Sequence, residues 1–550
     1  MLQPVLTPST SSPPAKRLRV PFVVWPLFAV VAVITLAPVW NGPGWPTNHE
    51  TWAFAQRTHI YARHLAAFDL FPLWSSADNA GFGSPQPLFY HRLFYLLAGP
   101  LALLTGSNKT ADALAILVAL VLGACGTYRL TRELGGGLLA STLGGVSLIA
   151  ANYTVANWLV RGAVAEMIGA MLIPWVLAGF VRSLRDGVVH VELGVTLGLL
   201  WHAHSVMAFY MGLLLALTAV VVIATASASP KLLDPRTAWR ALTVFALLVG
   251  PHLALMALFR QDYDLARFLR EPFIPTSQYL EPRLYLWDTH WIAGHTSAGL
   301  PVQLDLPILA LLALALAAGA ARDALKARTI AAMVPVLIPA LVCLLLQLPW
   351  SAPFYDHVPG AQYLQFPWRL LGVITPALIA MLFTIADHTL PTDKRLLSFG
   401  ACAGWMVAGS IALVPLADGR VPVDPASMTT VSFSGFREYE PKTAPPLNDL
   451  TAAISARWTE LGCEVHREDA DDEVLVVRFQ ATCQRATVLP LPLYASRLHR
   501  VRVSGFDRSQ PCVRTPDLPD VCSATVAAGS HVIDVELPTV RAAVQTFASR

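Results

Sequence analysis

Residues 87–104 read PLFYHRLFYLLAGPLALL, and whether they cross a bilayer sets the topology of everything that follows. The stretch opens with polar His91 and Arg92, which leaves about thirteen apolar residues up to Leu104. A spanning helix needs roughly 20. The length fits an interfacial or re-entrant helix. The distribution of Lys and Arg supplies an independent criterion, because loops on the cytoplasmic side carry the excess of positive charge.

Working outward, runs long enough to cross recur at 21–40, 110–130, 137–153, 163–182, 188–203, 206–227, 237–259, 304–320, 329–348, 368–387 and 396–416. With a cytoplasmic N-terminus and no crossing at 87–104, the inside segments hold Lys16, Arg17 and Arg19, Arg129 and Arg132, and Arg182 and Arg185. They also hold Lys231, Arg236 and Arg240, Arg322, Lys326 and Arg328, and Lys394 and Arg395. The short outside connections 154–162, 204–205 and 349–367 hold only Arg161. A crossing at 87–104 would invert every later loop. The expectation is therefore a mainly α polytopic protein of about 11 spans, with its C-terminus outside.

Composition agrees. Of 550 residues, 55% are hydrophobic and 14% charged, against about 25% charged in an average soluble chain. A net charge of +3 with no long basic run gives no reason to expect a nucleic-acid partner. Residues 1–20 are Pro- and Ser-rich and read as a disordered cytoplasmic N-terminus. The apolar run 21–40 is as long as a span and lacks a small-residue cleavage site, so it reads as an uncleaved first span of a membrane domain over 21–417.

Three segments fall outside: 41–109, 260–303 and the tail 418–550. In the tail, EVLVVRFQATC, HRVRVSGFD and SHVIDVEL alternate by two and are separated by turn residues. They predict a β-sandwich, with a helix near NDLTAAISARWTELG. Cys463, Cys483, Cys512 and Cys522 all lie in this tail, whereas Cys125, Cys343 and Cys402 lie in apolar runs. Four cysteines in an oxidising compartment suggest two disulfides. Sequential pairing is the expectation among three connectivities.

The chemistry-bearing residues cluster at the outside boundary. Gly44–Phe54, GWPTNHETWAF, places His49 and Glu50 just after the first span. Glu50, Arg57 and His64 are seven apart and share a helical face. Thr47 and Glu50 also fit a capping box, with Glu50 as third helical residue. Glu166 sits in the first turns of a span, and Arg161 precedes it by five residues. An acid inside a membrane marks a functional site or a buried pair. His202 and His204 lie in a turn between two spans, and Gln365 and Arg369 open another span after an outside loop. Arg can hold a phosphate bidentately, and snorkelling to the headgroups is the alternative. Asp288 in the 260–303 loop is a candidate contact to substrate. No Gly-rich nucleotide loop is present.

The series FPLWSSADNAGFGSPQPLFYHRLFYLLAG, NWLVRGAVAEMIGAMLIPW, WHAHS and YLQFPWRLLG resembles the polytopic membrane proteins labelled 6-pyruvoyl-tetrahydropterin synthase-related. These stand close to the YfhO-like group, in the GT-C class of glycosyltransferases. The label implies no pterin chemistry. The resemblance implies a GT-C-like transmembrane domain in the bacterial inner membrane with a periplasmic tail. It implies transfer of a sugar from a polyprenyl-phosphate donor to a glycan, lipid or protein acceptor outside. It also implies a catalytic acid in the first outside loop, at the position of Glu50. A divalent Mg or Mn bound by Glu50 is a further option. On this reading Glu50 and Glu166 are the catalytic candidates. His49, Arg57, Arg161, His202, His204, Asp288, Gln365 and Arg369 bind substrate. The rivals are a lipid-linked glycan flippase and an inactive scaffold. Few ionisable residues lie below the outside boundary of the spans, which counts against a flippase.

Overall fold

The computed structural model describes residues 20–48, 50–225, 234–265, 267, 276–280, 305–320, 327–412, 419–424, 439–468, 475–506 and 508–548. Residues 1–19, His49 and Asp288 lie outside them. The main helices are α1 (Val24–Thr35), α2 (Thr51–Ala66), α3 (Leu93–Thr105), α4 (Asn108–Glu133), α5 (Leu138–Ala150), α6 (Val164–Asp186) and α7 (Val191–Ala203). They continue with α8 (Ser205–Thr225), α9 (Pro235–Phe259), α10 (Leu306–Ala320), α11 (Ala327–Leu345), α12 (Leu371–Thr389), α13 (Thr392–Ala412) and α14 (Leu447–Leu461). Each of the eleven apolar runs carries a helix. Among the described residues five helices are long and apolar enough to cross a membrane, and the number is up to seven if each of two bent pairs counts as one span. The protein is a multi-pass membrane protein. Helix α3 has 13 residues, about 20 Å of rise, against a hydrocarbon core of about 30 Å.

The described residues form two compact units. The first comprises those within Met1–Phe54, Ala113–Gly250 and Ile274–Pro422. Its central helix is α12, packed against α5, α6, α10 and α11. Few of its side chains reach solvent, and up to Ala386 it is apolar apart from threonines. Helix α6 has charges at both ends. Near its C-terminal end Arg185 pairs with Glu133 of α4 at 2.7 Å, and Arg129 of α4 pairs with Glu192 of α7. Near its N-terminal end stands Glu166. Nineteen residues separate Glu166 from Arg185, about 28 Å of helical rise, close to the thickness of a bilayer core.

The second unit comprises Ala55–Asp112, Pro251–Phe273 and Val423–Arg550. Strands β3 (Cys463–Glu468), β4 (Val476–Cys483), β5 (Thr487–Tyr494), β6 (Arg500–Val503), β7 (Gln510–Pro511), β8 (Val521–Val526) and β9 (Gly529–Glu536) follow α14. The first unit's β1 (Trp45–Pro46) and β2 (Arg420–Val421) precede them in the chain. A five-stranded sheet runs β3-β4-β9-β6-β7, and β5 pairs with β8. Alternate side chains of both sheets, among them Phe479, Ile533, Val501, Leu491 and Ala524, share one core. That is the outcome the alternating pattern predicts. Helix α14 covers β5 and donates Trp458 Nε1 to the Pro490 carbonyl at 2.7 Å. The connection 67–92 belongs to this same core through Leu73, Trp74, Phe82, Leu88 and Phe89. Its Phe82 carbonyl accepts the Tyr494 N–H at 2.8 Å. The sequence shows the tail as a β domain but gives no sign that this connection packs into it.

The cysteines pair Cys463–Cys483 and Cys512–Cys522. Cys463 and Cys483 are directly opposite in the β3–β4 ladder. Replacing both by Ser should cost roughly 3 kcal/mol of stability, the loop-closure value for a loop of this size. The thermal midpoint with and without reductant measures it. Reductant should lower the native midpoint and leave the double variant unchanged with respect to this bond.

His499 lies fully buried, edge-on to Trp74 with ring centroids 4.7 Å apart. Burial, aided by the Arg514 charge, pushes its pKa down to about 3, from about 6.5 in an unfolded chain. Between those values the unfolded chain binds a proton that the folded chain does not. This contribution to stability is therefore complete above pH 6.5 and is lost as pH falls towards 3, at about 1.4 kcal/mol per pH unit. A His499→Phe variant should show a shallower loss of thermal midpoint between pH 6.5 and 4 than the native chain. Parallel slopes would contradict it.

Candidate functional site at the Glu166 clamp

Sequence forces an unusual turn ahead of α6. The short helix Asn152–Val155 passes into a wide π-helical turn over Ala156–Arg161. Gly162 ends the turn at φ +68°, and a Cβ there would displace the Asn48 side-chain amide. The left-handed backbone favours glycine there, and the Asn48 contact adds to that preference. Such π turns recur at functional sites because they re-aim side chains. Here the turn directs Arg161 at Glu166.

Glu166 is 2% exposed. Its Oε1 accepts from Arg161 Nη1 at 2.5 Å and from the Tyr153 hydroxyl at 2.7 Å. Its Oε2 accepts from Arg161 Nη2 and from Arg369 Nε, both at 3.0 Å. Arg369 Nη1 also donates to the Leu364 carbonyl and to Gln365 Oε1, each at 2.9 Å. Gln365 holds this pose at φ +61°, a strained backbone for a non-glycine residue. The rings of Phe366 and Trp368 stack at 4.6 Å beside the two guanidinium groups.

Two guanidiniums share the Glu166 carboxylate, and the Glu50 charge also acts on Arg161. Asn157 Nδ2 and Trp158 Nε1, both buried, find no acceptor among the described residues. Buried donors of this kind are costly unless an acceptor completes them.

Glu50 belongs to the same unit. Helix α2 begins at Thr51, so Glu50 stands at its boundary and is not its third residue. Asn48 closes the turn instead. Its Oδ1 accepts from the Glu50 N–H at 3.1 Å and from the Thr51 hydroxyl at 2.7 Å. The Thr47 N–H, which a Thr47–Glu50 box would bond, donates to the Gly419 carbonyl at 2.9 Å. The expected capping box is thus replaced by an Asx turn. Asn48 Nδ2 reaches the Trp158 carbonyl at 3.4 Å, tying this turn to the one bearing Arg161. The Glu50 charge acts on Arg161 alongside that of Glu166.

The other predicted residues take different places. His202 Nε2 faces the Leu248 carbonyl of α9 at 3.0 Å. His204, in extended backbone after α7, accepts the Met207 N–H on Nδ1 at 3.2 Å and so caps α8. Its Cβ lies against Gly169, one turn beyond Glu166 on α6. Arg57 belongs to the second unit. There it lies over the Tyr90 ring at 4.0 Å, with the Tyr95 hydroxyl at 3.5 Å. Tyr153, Asn157 and Asn48 were not singled out from sequence. The polar residues of NYTVAN, set in an apolar run, were the available signal. Among the described residues no group of three or more His, Cys, Asp or Glu can hold a metal ion.

No family model matches the sequence, and neither does any curated protein. Among solved structures the chain is similar to the Archaeoglobus fulgidus oligosaccharyltransferase in its apo form, at 13% identity and a TM-score of 0.42, over 78% of this chain and 59% of that one. It is similar to ArnT from Cupriavidus metallidurans bound to undecaprenyl phosphate, at 15% identity and a TM-score of 0.42, over 73% and 74%. It is also similar to the arabinosyltransferase EmbB from Mycobacterium smegmatis, at 10% identity and a TM-score of 0.31, over 96% and 65%. The chain spans 59% of the length of the oligosaccharyltransferase.

Proposed function

We propose that this chain is a GT-C-type membrane glycosyltransferase. It moves a sugar from a polyprenyl-phosphate donor to an acceptor outside the cytoplasmic membrane, with eleven spans and the tail 418–550 outside. The observation that carries the reading is the convergence of Arg161 and Arg369 on Glu166, with the Glu50 charge acting on Arg161. Arg161 and Arg369 hold the donor phosphate, the group that leaves. Glu166 orients both guanidiniums, since each of its oxygens already accepts two hydrogen bonds. His204 keeps α8 in register beside that cluster.

The step is a displacement at the anomeric carbon. The acceptor oxygen forms the new bond as the bond to the phosphate oxygen breaks. The acceptor proton passes to the Glu50 carboxylate, and the electron pair leaves on phosphate, where the arginines stabilise it. Glu50 takes the proton in this step, and no step is assigned to a metal.

The test is deletion of the gene in its host, followed by analysis of envelope glycans. Loss of one sugar, restored by the native gene and not by a Glu50→Gln variant, supports the proposal. Accumulation of lipid-linked donor on the cytoplasmic side, with Glu50→Gln restoring transport, would favour a flippase.

A further inference from the structure

The stretch between the first apolar run and Glu50 is held by a segment more than 370 positions further along the chain. Strands β1 and β2 pair antiparallel, Trp45 with Val421 and Pro46 with Arg420. The Thr47 N–H extends the ladder to the Gly419 carbonyl. Arg420 donates from Nη1 to the Pro38 carbonyl at 2.6 Å and from Nη2 to the Asn41 carbonyl at 2.7 Å. One guanidinium thus bridges the two chain turns that lead out of the first apolar run. Gly44, at φ +70°, brings its backbone so near the Val421 carbonyl that a Cβ would lie 2.5 Å from the oxygen.

This matters because Asn41–Gly44 reads NGPG, a stretch with two glycines. Such a stretch has little conformational preference of its own. Trp45 is fully buried and meets Phe54 edge-on at 5.3 Å. A slip of one residue in the ladder would turn Trp45 outward and move Glu50 with it. On its other side the Glu50 turn is tied to Trp158 and Gly162 through Asn48. The turn is therefore set between two anchors, one from 419–421 and one from the segment that bears Arg161.

We infer that the 419–421 strap, with Arg420 at its centre, is a positioning element that fixes Glu50 against the Arg161–Glu166–Arg369 cluster. The inference rests on the proposed role of Glu50. Arg420 touches no reacting group. It acts through backbone register, and a displacement of about 1 Å can cost up to a hundredfold in rate.

The test uses the full-length protein in nanodiscs. Two variants are made: Arg420→Ala, and Gly419→Ala, whose Cβ would collide with the Thr47 hydroxyl. Arg420→Lys is the conservative control. Amide exchange over 44–50 should quicken in both Ala variants. Affinity for a polyprenyl phosphate should stay within about twofold, and restoration of the missing glycan should fall about tenfold or more. Arg420→Lys should recover part of it. If Arg420→Ala fails to insert, Gly419→Ala carries the test. Unchanged exchange, full restoration by both variants, or equal loss of phosphate affinity and transfer would overturn the inference. Full restoration by Glu50→Gln would overturn the underlying role of Glu50, and that result is separate from the exchange measurement.

Discussion

Glu50→Gln is expected to insert, bind polyprenyl phosphate as the native chain does, and transfer sugar about 10²- to 10⁴-fold more slowly, the usual contribution of a positioned general base. The amide keeps the shape of the side chain and removes the capacity to take a proton. The fold should tolerate it. The turn around Glu50 is closed by Asn48 and Thr51 side chains and by backbone, not by a Thr47–Glu50 box. Glu50→Asp keeps the carboxylate but shortens its reach, so an intermediate rate is expected. The measurement is glycan restoration in the deletion strain, scored against membrane-inserted protein. Native-like restoration by Glu50→Gln would remove Glu50 from the mechanism.

Glu166→Ala should behave in the opposite way, losing stability first. It would leave buried Arg161 and half-buried Arg369 with no carboxylate between them. Breaking a buried pair in this manner costs about 3–5 kcal/mol. The thermal midpoint in detergent should fall by several degrees, while Glu50→Ala, at a half-buried turn, moves it little. Added polyprenyl phosphate should raise the Glu166→Ala midpoint more than the native one, because an anion then offsets the exposed imbalance and binding favours the folded state. An unchanged midpoint for Glu166→Ala would mean that the clamp contributes nothing to the fold. Equal rescue of both proteins would separate the phosphate from the guanidiniums.

These contrasting expectations could not be drawn from the sequence. Glu166 and Arg161, five apart at a span boundary, read equally well as catalytic groups or as an ion pair. The structure adds Arg369 from more than two hundred residues away and Tyr153 from the preceding turn. With four hydrogen bonds on one carboxylate, holding the arginines is the role its geometry supports. Arg369 and Gln365 are legible as a pair because they lie one helical turn apart. Their strained backbone is not, since nothing in QFPWR specifies a positive φ at Gln365.

Sequence by itself determined the apolar runs that become helices, the alternation that becomes two sheets, and the acids and arginines at the span boundaries. Those are local properties of composition and period, and the chain expresses them wherever it folds. Sequential cysteine pairing was only one of three options until β3 and β4 set Cys463 opposite Cys483. Tertiary structure alone decided the partners. It placed 67–92 in the core of the β domain, made Glu166 the shared counter-ion of two arginines, and laid 419–421 against the stretch leading to Glu50. The physical reason is the same in each case. Buried charges and unpaired backbone groups must be satisfied, and the chain meets that demand with residues hundreds of positions away.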